Sequence, residues 1–203
     1  MAPWRNSENT YGLMAIICHW LTAVAVVGLF ILGLWMTDLN YYSPWYQKGP
    51  DIHRSVGILL ALLVIWRLVW RMLNRQPVHL PNHKKWERIL ARLTHLVLYV
   101  LLFAMFISGY LITTAEGQAL SVFNWFQIPA ATTGTEIGVD NLEDVAGDVH
   151  EVLAFTLIAL ASIHALAAIK HHVIDKDSTL LRMLGKSQRR ITKTHQGENH
   201  EDN

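Results

Sequence analysis

The chain has 203 residues, 52% hydrophobic and only 16% charged, and its mean hydropathy is +0.23. That composition excludes an ordinary water-soluble domain, whose charged share is nearer a quarter. Formal net charge is +1, so bulk charge gives no ground for a nucleic-acid partner, and a single cysteine, Cys18, excludes an internal disulfide framework.

A bilayer core of about 30 Å is crossed by about 20 apolar residues in helix. Residues 14–36 and 93–115 are free of formal charge, which predicts two spans of that length. Residues 52–73 predict another, interrupted by Arg54, Arg67 and Arg71 only near its ends, where long basic side chains reach the interface. The stretch 149–171 predicts the fourth. The first span is too long for a signal-peptide core and has no small-residue cleavage site after it, so it is read as retained. The expected fold class is all-α, an integral-membrane four-helix bundle, with one domain over residues 1–186 and a polar, disordered cytoplasmic tail over 187–203. No internal repeat is visible.

Orientation follows from Lys and Arg. Of the 17 in the chain, only Lys48 and Arg54 fall on the side holding the 116–148 connection, which by the positive-inside rule places both termini in the cytoplasm. That outer side carries nine acids: Asp38, Asp51, Glu116, Glu136, Asp140, Glu143, Asp144, Asp148 and Glu151. Its formal balance is thus strongly negative. Within the long outer connection, residues 119–128 are apolar and aromatic enough to lie along the membrane surface and cap the outer end.

Eleven histidines in so apolar a chain need an explanation. Histidine inside a span is rare and usually faces the bundle interior. His150 and His164 are 14 residues apart, about 1400° of helix rotation, so they share a face and are separated by roughly 21 Å of rise. His53 matches His150 in depth, and His19 matches His164. The pairs His53/His150 and His19/His164 are each placed to hold an iron porphyrin between two imidazoles, giving two stacked b-type haems. No Cys-x-x-Cys-His motif is present to attach haem covalently. Zinc would want its ligands at one depth, and a proton relay would want carboxylates within the spans, whose interiors contain none. His95 lies near the depth of His19, so depth alone does not separate these two as partners of His164. Gly57, Gly147, Ala161, Ala165 and Ala168 lie near the histidines and suit either a flat macrocycle or ordinary close helix packing.

The segments CHWL at 18–21, IHRSVGILLALLVIWRLVWR at 52–71, LTHLVLYVLL at 93–102, VHEVLA at 149–154 and IHALAAIKHHVIDKDSTLLRML at 163–184 resemble the bacterial cytochrome b561 family, related to the cytochrome b subunits of nickel-iron hydrogenases. The resemblance implies a di-haem membrane cytochrome with His19, His53, His150 and His164 as axial ligands. It favours His19 over His95, leaving His95 beside the haem or at a quinone site.

Arg67 and Arg71 follow His53 by 14 and 18 residues, on its face but at inner depth. They are placed either as partners of haem propionates or as cytoplasmic anchors, and Arg54 offers the same contact outside. His171, seven residues after His164, forms a polar patch with Lys170, His172 and His95, and histidine supplies the donors and exchangeable protons that quinone chemistry needs. The resemblance likewise implies a quinone near this end of the fourth helix. Interfacial anchoring is the alternative for Lys170 and His172.

The expected protein is a multi-pass cytochrome of the bacterial inner membrane, surrounded by lipid. It would be an oxidoreductase passing electrons between a periplasmic donor and ubiquinone. Some members of the resembled family oxidise superoxide and pass its electron to ubiquinone; an acidic outer face repels that anion unless Lys48 and Arg54 form a local positive funnel, and it suits a basic redox protein. The alternative is a haem-bearing membrane anchor for a separate dehydrogenase, silent on its own.

Overall fold

The computed structural model describes residues 4–78 and 84–186; the 187–203 tail expected to be disordered lies outside the described residues. In chain order the elements are α1 (Leu13–Thr37), α2 (Lys48–Leu73), α3 (Lys85–Thr114), β1 (Leu120–Val122), β2 (Phe126–Ile128), α4 (Gly134–Ile137), α5 (Leu142–Val173) and α6 (Thr179–Met183). Helices α1, α2, α3 and α5 are the four spans, with 25, 26, 30 and 32 residues. At 1.5 Å per residue each exceeds the hydrocarbon core, so their ends project into the interfaces. Their outward faces stay apolar and open: Val24 is 69% exposed, Ile107 60% and Ile163 62%, which suits lipid and not water.

Helix α3 packs chiefly along α5 and α1 along α2. The bundle centre is a cluster of Leu60, Val64, Leu102 and Leu157, flanked by Val26, Leu29, Leu98 and Phe106. Lipid is as apolar as leucine, so this layer is held by close packing more than by escape from solvent. Leu157 lies seven residues after His150 and seven before His164, so the plug separates the two histidine levels.

Three helices begin earlier than hydropathy alone predicts: α2 at Lys48, α3 at Lys85 and α5 at Leu142. Helix α3 starts at Lys85, where the Glu87 carboxylate accepts the Lys84 backbone N–H at 2.9 Å, and its first two turns leave Trp86, Ile89 and Leu90 exposed. Helix α5 starts at Leu142, with Glu143 and Asp144 in its first turn opposite the positive end of the helix dipole, and Lys170, His171 and His172 in its last.

One end of the bundle gathers the N-terminal segment, residues 75–78 and α6. Asn6 donates to the Arg75 carbonyl at 2.9 Å, Arg182 donates to the Val78 carbonyl at 2.9 Å, and the Trp20 indole donates to the Met183 carbonyl at 2.8 Å. The opposite end carries the 116–141 connection. Within residues 119–128, β1 and β2 pair as an antiparallel hairpin. Leu120 and Val122 point inward and are fully buried, and the Ser55 hydroxyl of α2 accepts the Phe123 backbone N–H at 3.1 Å. Phe123 (φ 45°) and Asn124 (φ 58°) form the tight turn, closed by the Trp125 N–H on the Val122 carbonyl at 2.8 Å. The first strand thus buries alternate side chains against the bundle.

Candidate cofactor site

At the hairpin end, α2 presents His53 and α5 presents His150 across the bundle interior. Their ring centroids are 6.2 Å apart with planes inclined at 68°. A metal midway between two imidazoles needs about 3 Å to each ring centre, from a bond of about 2.0–2.1 Å plus the ring's own radius. The observed separation meets that requirement. Both rings line a cavity of about 830 Å³, walled by all four spanning helices and roofed by Leu120 of the hairpin. That volume lies in the range of cofactor pockets. Its floor is the leucine plug, through Leu60, Leu102 and Leu157, and its rim carries Arg54, Glu116, Gln118, Glu143 and Glu151. Arg54 is paired with Asp51 one turn earlier.

Glycines let the histidine rings press against neighbouring backbone. A Cβ on Gly109 of α3 would lie 3.1 Å from His150 Cε1, and one on Gly33 of α1 would lie 3.4 Å from His53 Cε1. Gly57 and Gly147 play a different part. A Cβ at either would meet nothing within 4 Å, and both line the cavity, so they keep its space open. Ser108 approaches His150 Nδ1 at 3.0 Å, whereas His53 Nδ1 is buried without a hydrogen-bond partner. A flat macrocycle with metal ligated on both faces therefore fits the residues present.

At the other level, nearer the termini, the structure assembles His19, His95, His164 and Arg67. The rings of His95 and His164 are 5.1 Å apart, and Arg67 donates to His19 Nδ1 at 2.9 Å while its guanidinium stands 5.6 Å over the Tyr99 ring. His19 is an electrostatic neighbour of both other imidazoles, and Arg71 of His95. The sequence places His19, His95 and His164 near one depth, and the structure puts His95 in direct ring contact with His164. Among the described residues no three His, Cys, Asp or Glu side chains are arranged to hold a bare metal ion.

Beyond this level, His171 Nδ1 lies 2.7 Å from the Asp175 carboxylate and 3.6 Å from that of Asp177. Lys170 shares Asp175 at 2.6 Å, and its hydrogen bond holds the Asp175 carboxyl below the usual carboxylate range, so Asp175 is charged at neutral pH. These carboxylates follow the end of α5, and helix periodicity did not reveal them. Sequence reasoning also missed Gly33, Ser108 and Gly109. The one signal was a Ser-Gly pair within an otherwise apolar span.

Residues 10–186 match the family model described as prokaryotic cytochrome b561. Among curated proteins, the chain is 48% identical over 182 residues to cytochrome b561 homolog 2 of Escherichia coli K12, covering 90% of this chain and 95% of that protein. It is 27% identical to cytochrome b561 homolog 1 of the same organism, over 87% of this chain and 97% of the relative. A Yersinia pestis protein named probable superoxide oxidase CybB is 29% identical, over 89% and 99%.

Proposed function

The chain belongs to the prokaryotic cytochrome b561 family, and from that premise we propose that it passes electrons between a periplasmic donor and the quinone pool through two b-type haems, with both termini in the cytoplasm. Membership makes it a multi-pass membrane cytochrome of the bacterial inner membrane, carrying b-type haem and serving electron transfer. The observation that carries the two-haem reading is the pair of histidine levels, His53/His150 and His19/His164, separated by a leucine plug. Held between two imidazoles, haem iron exchanges single electrons and has no axial position left for oxygen.

The residues do the rest. His53 and His150 are the outer ligands, set in the cavity that Gly57 and Gly147 keep clear. His19 and His164 are the inner ligands. Arg67 and Arg71 stand at the inner level as propionate partners, whose fork of donors suits a carboxylate. Arg54 serves the outer rim in the same way. His171 is the quinone-site residue, oriented by Asp175 and Asp177, with Lys170 and His95 bordering the site.

For the donor, the nine acids of the outer side are all exposed, and Arg54 is already paired with one of them. This favours a basic redox protein over an anion. Superoxide oxidation linked to ubiquinone is the second reading, supported by the name of the Yersinia pestis relative. A subunit that only anchors a separate dehydrogenase would show neither activity alone.

Three measurements on the purified protein test the reading. The reduced-minus-oxidised spectrum should give two low-spin b haems per chain; one or none overturns the two-level pairing. His171→Ala should slow quinone-linked turnover on the order of 100-fold, the scale of a lost proton-exchanging group, while leaving both haems. Haem loss would instead make His171 structural. Gly109→Ala should push the His150 ring off α3 at an overpacking cost of about 1–3 kcal/mol and lower haem per chain from two toward one, with the outer signal lost first.

A further inference from the structure

We infer that Ser108 is a positioning residue for the outer haem: its hydroxyl fixes the tautomer of His150 and lowers the reduction potential of the group that His150 ligates. Ser108 Oγ lies 3.1 Å from the Met105 carbonyl oxygen and 3.0 Å from His150 Nδ1. A serine hydroxyl has one proton to give, and a carbonyl oxygen only accepts. The contact with Met105 therefore takes the hydroxyl proton, and the contact with His150 is satisfied only if Nδ1 carries its own proton and donates to Ser108 Oγ. His150 is thus the Nδ1–H tautomer, with Nε2 left unprotonated as a metal ligand needs.

Gly109, the next residue, makes the approach possible. A Cβ there would meet His150 Nδ1 at 3.4 Å and Cε1 at 3.1 Å, so the Ser-Gly pair supplies an acceptor and the clearance to use it. Ser108 itself is buried at 4% exposure, which keeps water from replacing it. The opposing ligand has no such support, since His53 Nδ1 is buried without a partner.

A hydrogen bond accepted from the distal nitrogen of a ligating imidazole raises the basicity of the ligating nitrogen. A more basic ligand favours the ferric over the ferrous state. Because His53 contributes nothing of this kind, the outer potential is lowered through His150 alone, and electrons arriving from outside are driven on toward the inner level. This rests on His150 being an axial ligand, so the test must separate the two claims.

The experiment is a spectrally resolved redox titration of the haem-loaded protein, with electron paramagnetic resonance of the ferric state, for Ser108→Ala and Ser108→Cys. The cysteine variant keeps the side chain's shape with a weak acceptor and serves if the alanine variant fails to assemble. Haem loss in His150→Ala assigns which signal is outer. The expected result is a raised outer midpoint, a shift of about threefold or more in the reduced-to-oxidised ratio at a fixed potential, altered outer resonance and an unmoved inner haem. An outer midpoint and resonance unchanged in the variants that assemble, or a shift confined to the inner haem, overturns the role of Ser108. Two haems retained in His150→Ala overturns the ligand assignment instead.

Discussion

His53→Ala and His150→Ala should each leave one haem per chain where the parent protein holds two, with the reduced absorption band falling to about half. The two rings stand 6.2 Å apart on different helices, one from α2 and one from α5, so removing either leaves a single imidazole on one face of the macrocycle. The cavity itself survives the change. Its walls come from all four spanning helices, its floor from the leucine plug and its roof from Leu120, none of which depends on the imidazoles. A group that binds only the folded chain stabilises it by mass action, so each variant should also unfold at a lower temperature than the parent. Haem content per chain with thermal unfolding checks both. Two haems in either variant would sink the outer pairing, and none in both would make the outer haem a condition of assembly.

The four spans were legible because a bilayer imposes a long, uniform apolar requirement that few other structures need. The shared face of His150 and His164 was legible because helix geometry converts 14 residues into nearly whole turns, and the structure places both rings in the bundle interior. Helix ends were less legible. The first turns of α3, from Lys85, alternate charged with large apolar residues, so hydropathy stops near residue 93 although the backbone hydrogen bonds continue.

Features set by contacts between distant segments were not legible. The turn at Phe123 and Asn124 lacks the glycine that usually marks a tight hairpin, and its strands are fixed by Ser55 of another helix. Ser108 and Gly109 matter only because α5 brings His150 against them, which no spacing within α3 could reveal. Asp175 and Asp177 lie past the end of α5, where the chain turns back on His171.

At the inner level, His19→Ala should remove the second haem, while His95→Ala should retain both and shift only the inner signal. Depth does not separate these residues; ring geometry does. His95 and His164 are 5.1 Å apart, which leaves about 2.5 Å from their midpoint to each centre, too little for a metal bonded to both. His95 is therefore an edge-on neighbour of His164, in contact with it and not across a metal from it. His19 is engaged differently. Arginine carries donors only, so the 2.9 Å contact from Arg67 makes His19 Nδ1 an acceptor and leaves the ring proton on Nε2. Ligation through Nε2 requires that proton to move and the guanidinium to turn away, and a propionate is the partner whose geometry its fork of donors fits. Arg67 is the side chain that engages His19 Nδ1 in the structure. Haem content and the inner midpoint of the two variants decide between them: two haems in His19→Ala with one in His95→Ala would transfer the ligand role to His95 and reduce the Arg67 contact to packing.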